Sequence, residues 1–254
     1  MLRNSFLIIE GIGKKREKHL WDLGITTWDD FLRHEQIAGI GKDKKKYFNR
    51  KLLEAGEKLL DGDIVYFSKL LPSTEHWRLY DTFKDECVYL DIETDGIGAS
   101  HDVTVVGLYD GHQSATFVRG INFDERTLRM ALKKYKLVVS FNGSVFDVPF
   151  LQKRYSQLFD GIAHMDLRFA CERAGLTGGL KSIEKKLGIV RTNELVQKLH
   201  GGDAITLFRM FQGSGNSHFL DLLIEYNQED VMNLEQISQK VVKKLIESSF
   251  FSPK

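Results

Sequence analysis

Asp91 and Glu93 stand two residues apart in CVYLDIET, where Val88, Leu90 and Ile92 alternate with Tyr89, Asp91 and Glu93. On one face of a strand, residues i and i+2 lie about 7 Å apart, so both carboxylates can reach a common ion. The other home for such a pair is a solvated edge strand. A third acid follows in VVSFNGSVFDVPFL. There the apolar run at 136–141 reads as a buried, parallel strand, Asn142-Gly143 turns the chain, and Asp147 falls in the opening turn of a helix. Pro149 is tolerated in that turn because first-turn N–H groups have no intrahelical acceptor. Helix capping alone would account for Asp147, but the carboxyl end of a buried strand is where sites in α/β sheets form.

The fourth acid breaks a pattern. In FLDLLIEYNQEDVMNLEQISQKV (219–241) a helical period of roughly 100° per residue puts Phe219, Leu223, Tyr226, Asp230, Leu234, Ile237 and Val241 in one inward stripe. Asp221, Glu225, Glu229 and Glu235 project to the opposite side. A hydrogen-bonded core tyrosine is the ordinary account of Tyr226. Asp230 has no such account, because no Lys or Arg shares its stripe within a turn and an unpaired buried carboxylate is costly. An oxygen-only cluster of Asp91, Glu93, Asp147 and Asp230, without His or Cys, suits hard cations such as Mg²⁺ or Mn²⁺. Two such ions about 4 Å apart serve in-line attack of water on a phosphodiester.

The elements that must position these acids follow from the same periodicities. Strands at 87–94, 102–110 and 114–120 form an antiparallel meander across the turn DGHQ. A helix at 124–135, capped by Asp124, leads to the buried strand at 136–141. The remainder is helical apart from one short extended piece at 163–167, whose His164 and Asp166 read as structural. This order predicts an α/β, ribonuclease-H-like mixed sheet flanked by helices, over residues 85–250.

Residues 1–60 differ. IIEGIGKKREKHLWDLG and QIAGIGKDKKKYFNRKL echo each other, each with an apolar lead-in, Gly-Ile-Gly and a lysine-rich helix. Gly11, Gly13, Gly39 and Gly41 permit tight turns and leave amides exposed at a helix start, and Lys14 and Lys42 add charge; such a turn holds a phosphate. A small helical packing domain with solvated lysines is the alternative. This segment carries 13 basic against 9 acidic side chains, leaving 23 against 26 in the rest. Residues 61–84 read as a connector lying along the next domain, with Trp77, Leu79, Tyr80 and Phe83 too apolar for a free linker.

With 42% apolar and 28% charged residues the chain reads as soluble and globular, and no apolar run approaches the ~20 residues of a membrane span. An intracellular, cytoplasmic protein with no membrane partner is expected. Cys87 and Cys171, far apart and without CxxC, suggest neither disulfide nor zinc.

LDIETDG, SFNGSVFDVPFL and YNQEDVMNL resemble the three motifs of the DEDD (DnaQ-like) 3′→5′ exonucleases. Tyr226, four residues before the last acid, marks the DEDDy branch; the DEDDh branch has a histidine where Glu225 stands. EHWRLY, HMDLRFACERAG, GGLKSIEKKLGI and GGDAITLF are similar to the YprB-like subgroup, so that the resemblance spans about residues 70–245. The N-terminal echo resembles tandem helix-hairpin-helix units, which grip nucleic-acid backbones, although only a stub replaces the first leading helix. The resemblance implies that Asp91, Glu93, Asp147 and Asp230 bind two divalent cations, Mg²⁺ or Mn²⁺, with no small-molecule cofactor. It further implies that Tyr226 orients or helps deprotonate the attacking water, and that a nucleic acid, DNA or RNA, loses nucleoside 5′-monophosphates from a 3′ end. Thr94 and Gly96 would lie against the terminal nucleotide, while Asn142 and Phe146 would contact sugar or base, a purely packing role being the other reading of Phe146. A structure-specific endonuclease on the same fold and a non-catalytic nucleic-acid-binding module are the competing readings.

Overall fold

The computed structural model describes residues 1–96, 98 and 101–250. Each Gly-Ile-Gly turn launches a helix: α1 (Lys14–Asp22) from the N-cap Gly13 and α3 (Lys42–Leu60) from the N-cap Gly41. Positive φ is needed only at the first glycine of each turn, Gly11 (+86°) and Gly39 (+77°). Gly13 and Gly41 are extended, so the expectation of tight-turn glycines holds for half of them. Between the two turns, α2 (Trp28–Arg33) starts at Thr27, whose hydroxyl accepts from Asp30 N while the Asp30 carboxylate accepts from Thr27 N. That reciprocal pair satisfies two donors that the helix start would otherwise leave open.

Residues 61–84 are not a linker in any mechanical sense. They form α4 (Ile64–Leu70) and α5 (Trp77–Phe83), and Trp77, Leu79, Tyr80 and Phe83 are buried. Pro72 and the brevity of both helices hide their period in the sequence. One hydrophobic core runs from Leu2 and Phe6 through these helices to Tyr89, Val139 and Ile237.

The sheet comprises β1 (Cys87–Thr94), β2 (Val103–Tyr109) and β3 (Ser114–Val118), then α6 (Glu125–Leu132), β4 (Leu137–Ser140), α7 (Asp147–Arg154) and β5 (Ala163–Asp166). Its order is β3-β2-β1-β4-β5, antiparallel among the first three strands and parallel from β1 through β4 to β5. This is the predicted mixed sheet flanked by helices. Val88, Leu90 and Ile92 pack with Leu128, Leu132 and Leu151 of α6 and α7, while Tyr89 shares the opposite core with Ile237. The chain then continues as α8 (Leu167–Arg173), α9 (Leu180–Leu187), α10 (Glu194–Lys198), α11 (Gly201–Ser214) and α12 (Ser217–Phe250).

The 34-residue α12 lies across the Asp91 face of the sheet. Leu223, Tyr226, Asp230, Leu234, Ile237 and Val241 are buried as the stripe requires, and Phe219 is half-buried. Glu229 corrects the wheel: expected outside, it is buried because the segment before α10 folds over it. Its Oε1 accepts from Thr192 N (2.7 Å), Thr192 Oγ1 (2.5 Å) and Asn193 N (3.3 Å). Among the described residues no helix is long and apolar enough to cross a membrane.

Candidate active site

Asp91 and Glu93 project from the central strand toward α12, which returns Tyr226 and Asp230. One carboxylate oxygen each from Asp91, Glu93 and Asp230 lies within 4.8 Å of the others. Asp147 opens α7 beneath them, its Oδ1 accepting from Ile92 N at 3.1 Å. Asp230, Asp147 and Glu93 are buried, and Asp91 is half-buried.

Charge repulsion shows in the proton affinities. Burial first, then the charges of Asp230 and Asp147, push Asp91 and Glu93 well above the usual carboxylate range. Burial lifts Asp147 to about 7, against the N–H groups of Asp147 and Ile92 that favour its charged form. Asp230 rises to about 6, again through burial, although Arg191 opposes the shift. Burial and the three facing acids, Asp230, Glu93 and Asp91, also raise Tyr226. An oxygen-only donor set whose members resist ionising together fits a hard divalent cation, which would reverse each of these shifts.

Arg191 is the residue that sequence reasoning missed. Its Nη2 donates to Asp230 Oδ1 and to Glu184 Oε1 (2.7 Å), and its Nε donates to Glu184 Oε2 (2.9 Å). Asp230 therefore has a protein counter-ion, supplied from outside its own helix, where no Lys or Arg shares its stripe within a turn. Arg191 lies 39 residues away, in an aperiodic segment, and no sequence signal joins the two. Asn227 was also missed. Its Nδ2 donates to Asp91 Oδ2 (2.8 Å), and it fits because Gly107, paired with Asp91 across the sheet, would otherwise place a Cβ 2.0 Å from Asn227 Oδ1.

The turn from β4 into α7 is aimed by the residues expected to be structural. Asp166 accepts from Asn142 N (2.8 Å), Ser144 N (3.0 Å) and Arg168 N (3.0 Å), tying the turn to the start of α8. His164 Nε2 meets Ser140 Oγ at 2.8 Å, and burial lowers this imidazole to about 4, which keeps it neutral. Gly143 is required here, since a Cβ would lie 1.8 Å from Ser140 Oγ.

Thr94 Oγ1 donates to Gly96 O at 2.8 Å, and a Cβ at Gly96 would strike the His101 ring at 2.4 Å. Asn142 adopts a left-handed φ of 64° and its Oδ1 accepts from Arg168 Nη1 at 2.7 Å. Phe146 packs on Phe150 with ring centroids 5.5 Å apart. Gly11, Gly13, Lys14 and Gly39 line a single cavity of about 670 Å³ away from the acids, so the two turns face common space. Lys14 is half spent there, because its Nζ pairs with Glu75 at 2.7 Å. Gly41 and Lys42 begin α3 beside that cavity, with the Lys42 side chain exposed.

The family B DNA polymerase of the hyperthermophilic archaeon Pyrobaculum calidifontis is similar in structure, with a TM-score of 0.50 and 18% identity over 65% of this chain. Only 25% of the polymerase is matched, so the likeness concerns one fold within a longer chain. A nuclease solved in its apo form matches at a TM-score of 0.47 and 18% identity, over 66% of this chain and 77% of its own. No curated protein matches. The sequence profile of the RNase_H superfamily matches residues 88–242, the span from β1 to the middle of α12 that carries all four acids, and the chain belongs to that superfamily.

Proposed function

We propose that the protein is a metal-dependent 3′→5′ exonuclease of the DEDDy type, which hydrolyses nucleic-acid phosphodiesters to nucleoside 5′-monophosphates. The observation that carries this reading is the convergence of carboxylate oxygens of Asp91, Glu93 and Asp230 within 4.8 Å of one another, near enough to Tyr226 for all three charges to act on it, in a superfamily fold. Asp91, Glu93, Asp147 and Asp230 would hold two divalent cations, Mg²⁺ or Mn²⁺, which supply Lewis acidity both to the attacking water and to the departing 3′-oxygen. The chain's own contribution is positional. Asn227 fixes the Asp91 carboxylate, Ile92 N fixes Asp147, and Tyr226 presents its hydroxyl where water would attack. In that position Tyr226 orients the attacking water or helps to take its proton.

The hairpins at residues 11–13 and 39–41 support a second contact, in which the amides and lysines around their shared cavity take backbone phosphates. Reversing charge there, with Lys15→Glu and Lys42→Glu together, should lower the salt slope of oligonucleotide binding by about two phosphate contacts. Deleting residues 1–60 is a poorer test, because their core is continuous with the sheet's. For the catalytic reading, a 5′-labelled strand incubated with Mg²⁺ or Mn²⁺ should ladder stepwise from its 3′ end, and Asp91→Ala should abolish the ladder. Cutting of a closed circle would favour an endonuclease instead, and an undiminished ladder from Asp91→Ala would refute the metal-site assignment.

A further inference from the structure

Beside Tyr226 and Asp230 opens a cavity of about 310 Å³, lined also by Gly179, Lys181, Arg191 and Gly201. Three features give it an anion's chemistry. Arg191 is buried, yet its Nη1 has no hydrogen-bond partner among the described residues, and an unpaired guanidinium donor away from water costs more than a neutral one. The other two nitrogens are locked: Nε and Nη2 hold both oxygens of Glu184, which Asn233 Nδ2 fixes in turn at 3.0 Å. The fork therefore has a set orientation with one arm spare. Finally, the N-terminus of α9 reaches the same cavity with Gly179 at the N-cap, no side-chain cap and no acid in its first turn; Ser182 N turns back to Gly179 O at 3.0 Å, which leaves the Leu180 and Lys181 amides and the helix dipole unanswered. Lys181 is not part of this spare capacity, since its Nζ binds the carbonyls of Val196, Gln197 and Leu199. The start of α11 is already answered by Asp203, which accepts from His200 N at 2.8 Å.

We infer that Arg191 Nη1 and the N-terminus of α9 form a binding site for one phosphodiester of the substrate strand, contiguous with the acid cluster. This inference rests on the nuclease reading and adds to it the residues that seat the strand's phosphate. Four carboxylates at one spot repel a polyanion, and a fixed guanidinium at their edge gives the strand a place to dock. Arg191 is a binding residue in this account, and Glu184 its positioning residue.

The test is a binding cycle in EDTA, so that turnover does not intrude, on the full chain. The probe is a 5′-fluorescein single-stranded oligonucleotide in which each of the linkages nearest the 3′ end is replaced, one at a time, by a neutral methylphosphonate. Wild type should lose about tenfold in affinity for one such linkage, as expected for one charge-assisted hydrogen-bonded contact. In Arg191→Lys, which keeps the charge against Glu184 and Asp230 but lacks the fork, that same linkage should be nearly silent. Glu184→Gln should weaken the effect partway. If no 3′-proximal linkage matters to wild type, the site does not exist, and that arm needs no variant to fold. Equal sensitivity in wild type and a folded Arg191→Lys would equally overturn it. Binding is read without cleavage, so failure here with Asp91-dependent laddering intact removes the phosphate site alone.

Discussion

Two groups of buried carboxylates stand at opposite ends of this molecule's electrostatics. Where residues 1–60 meet α5, Glu17 and Glu75 are buried, but so is Arg78, which donates to Glu17 at 2.8 and 3.0 Å and to Glu75 at 2.8 Å. Arg173 and Lys14 complete Glu75, and the amides of Phe6 and Leu7 complete Glu17. Despite its burial, Glu75 is held below the usual carboxylate range by these three cations, Lys14 foremost. At the sheet, among the described residues, only Asp230 of the four acids meets a guanidinium, that of Arg191, which is already divided with Glu184. The same residue types make a weld in one place and a candidate site in the other, and the distinguishing quantity is local charge balance. A balanced buried network orders the fold; an unbalanced one is what the proposed cations would neutralise.

Removing one partner separates the two kinds. Arg78→Met should leave Glu17 without a cation and Glu75 with Lys14 and Arg173 alone, and cost about 3–5 kcal/mol in urea denaturation, the range for breaking a buried ion pair from one side. Asp91→Asn, nearly isosteric, should cost less than about 1 kcal/mol in EDTA, because it relieves repulsion and still offers an oxygen to Asn227. If the two variants destabilise equally, the distinction between weld and site collapses. An effect on rate, smaller than the loss at Arg78, is expected at Tyr226. Tyr226→Phe should slow hydrolysis about 10²-fold, in the range for losing a positioned proton-handling group, and leave metal affinity unchanged. A full-rate Tyr226→Phe enzyme would mean that the hydroxyl does not meet the water.

The sequence carried the acids well because each sits on an element whose period is strong. Asp91 and Glu93 follow strand alternation, Asp147 follows a buried strand and a turn, and Asp230 interrupts a helical stripe. The order of three antiparallel strands, a helix and a parallel strand was legible for the same reason. What escaped is what tertiary packing decides. Arg191 reaches Asp230 from an aperiodic segment, and Glu229 is buried only because that segment folds over α12. The helices at 64–70 and 77–83 are short and interrupted by Pro72, so their burial against the sheet leaves no period to read. Asn227 is adjacent to Tyr226 in YNQED, yet its role depends on Gly107 across the sheet.

The central claim is that the four acids are held in tension for a cation. Asp147 and Asp230 have folded-state values of about 7 and about 6, against 3.8 ordinarily, so between about pH 4 and pH 7 the native state binds more protons than the unfolded chain. Stability should therefore fall as pH rises through that window. Asp30 and Asp110, lowered to about 2, act in the opposite sense mostly below pH 4, and His164, lowered from 6.5 to about 4, opposes the trend within the window without cancelling the two acids. Urea midpoints measured across pH 4–7, once in EDTA and once in excess Mn²⁺, test this directly. The account predicts a decline in EDTA that Mn²⁺ removes or reverses, since a cation bound only by the ionised acids stabilises more as pH rises. Superimposable pH profiles with and without Mn²⁺ would contradict it.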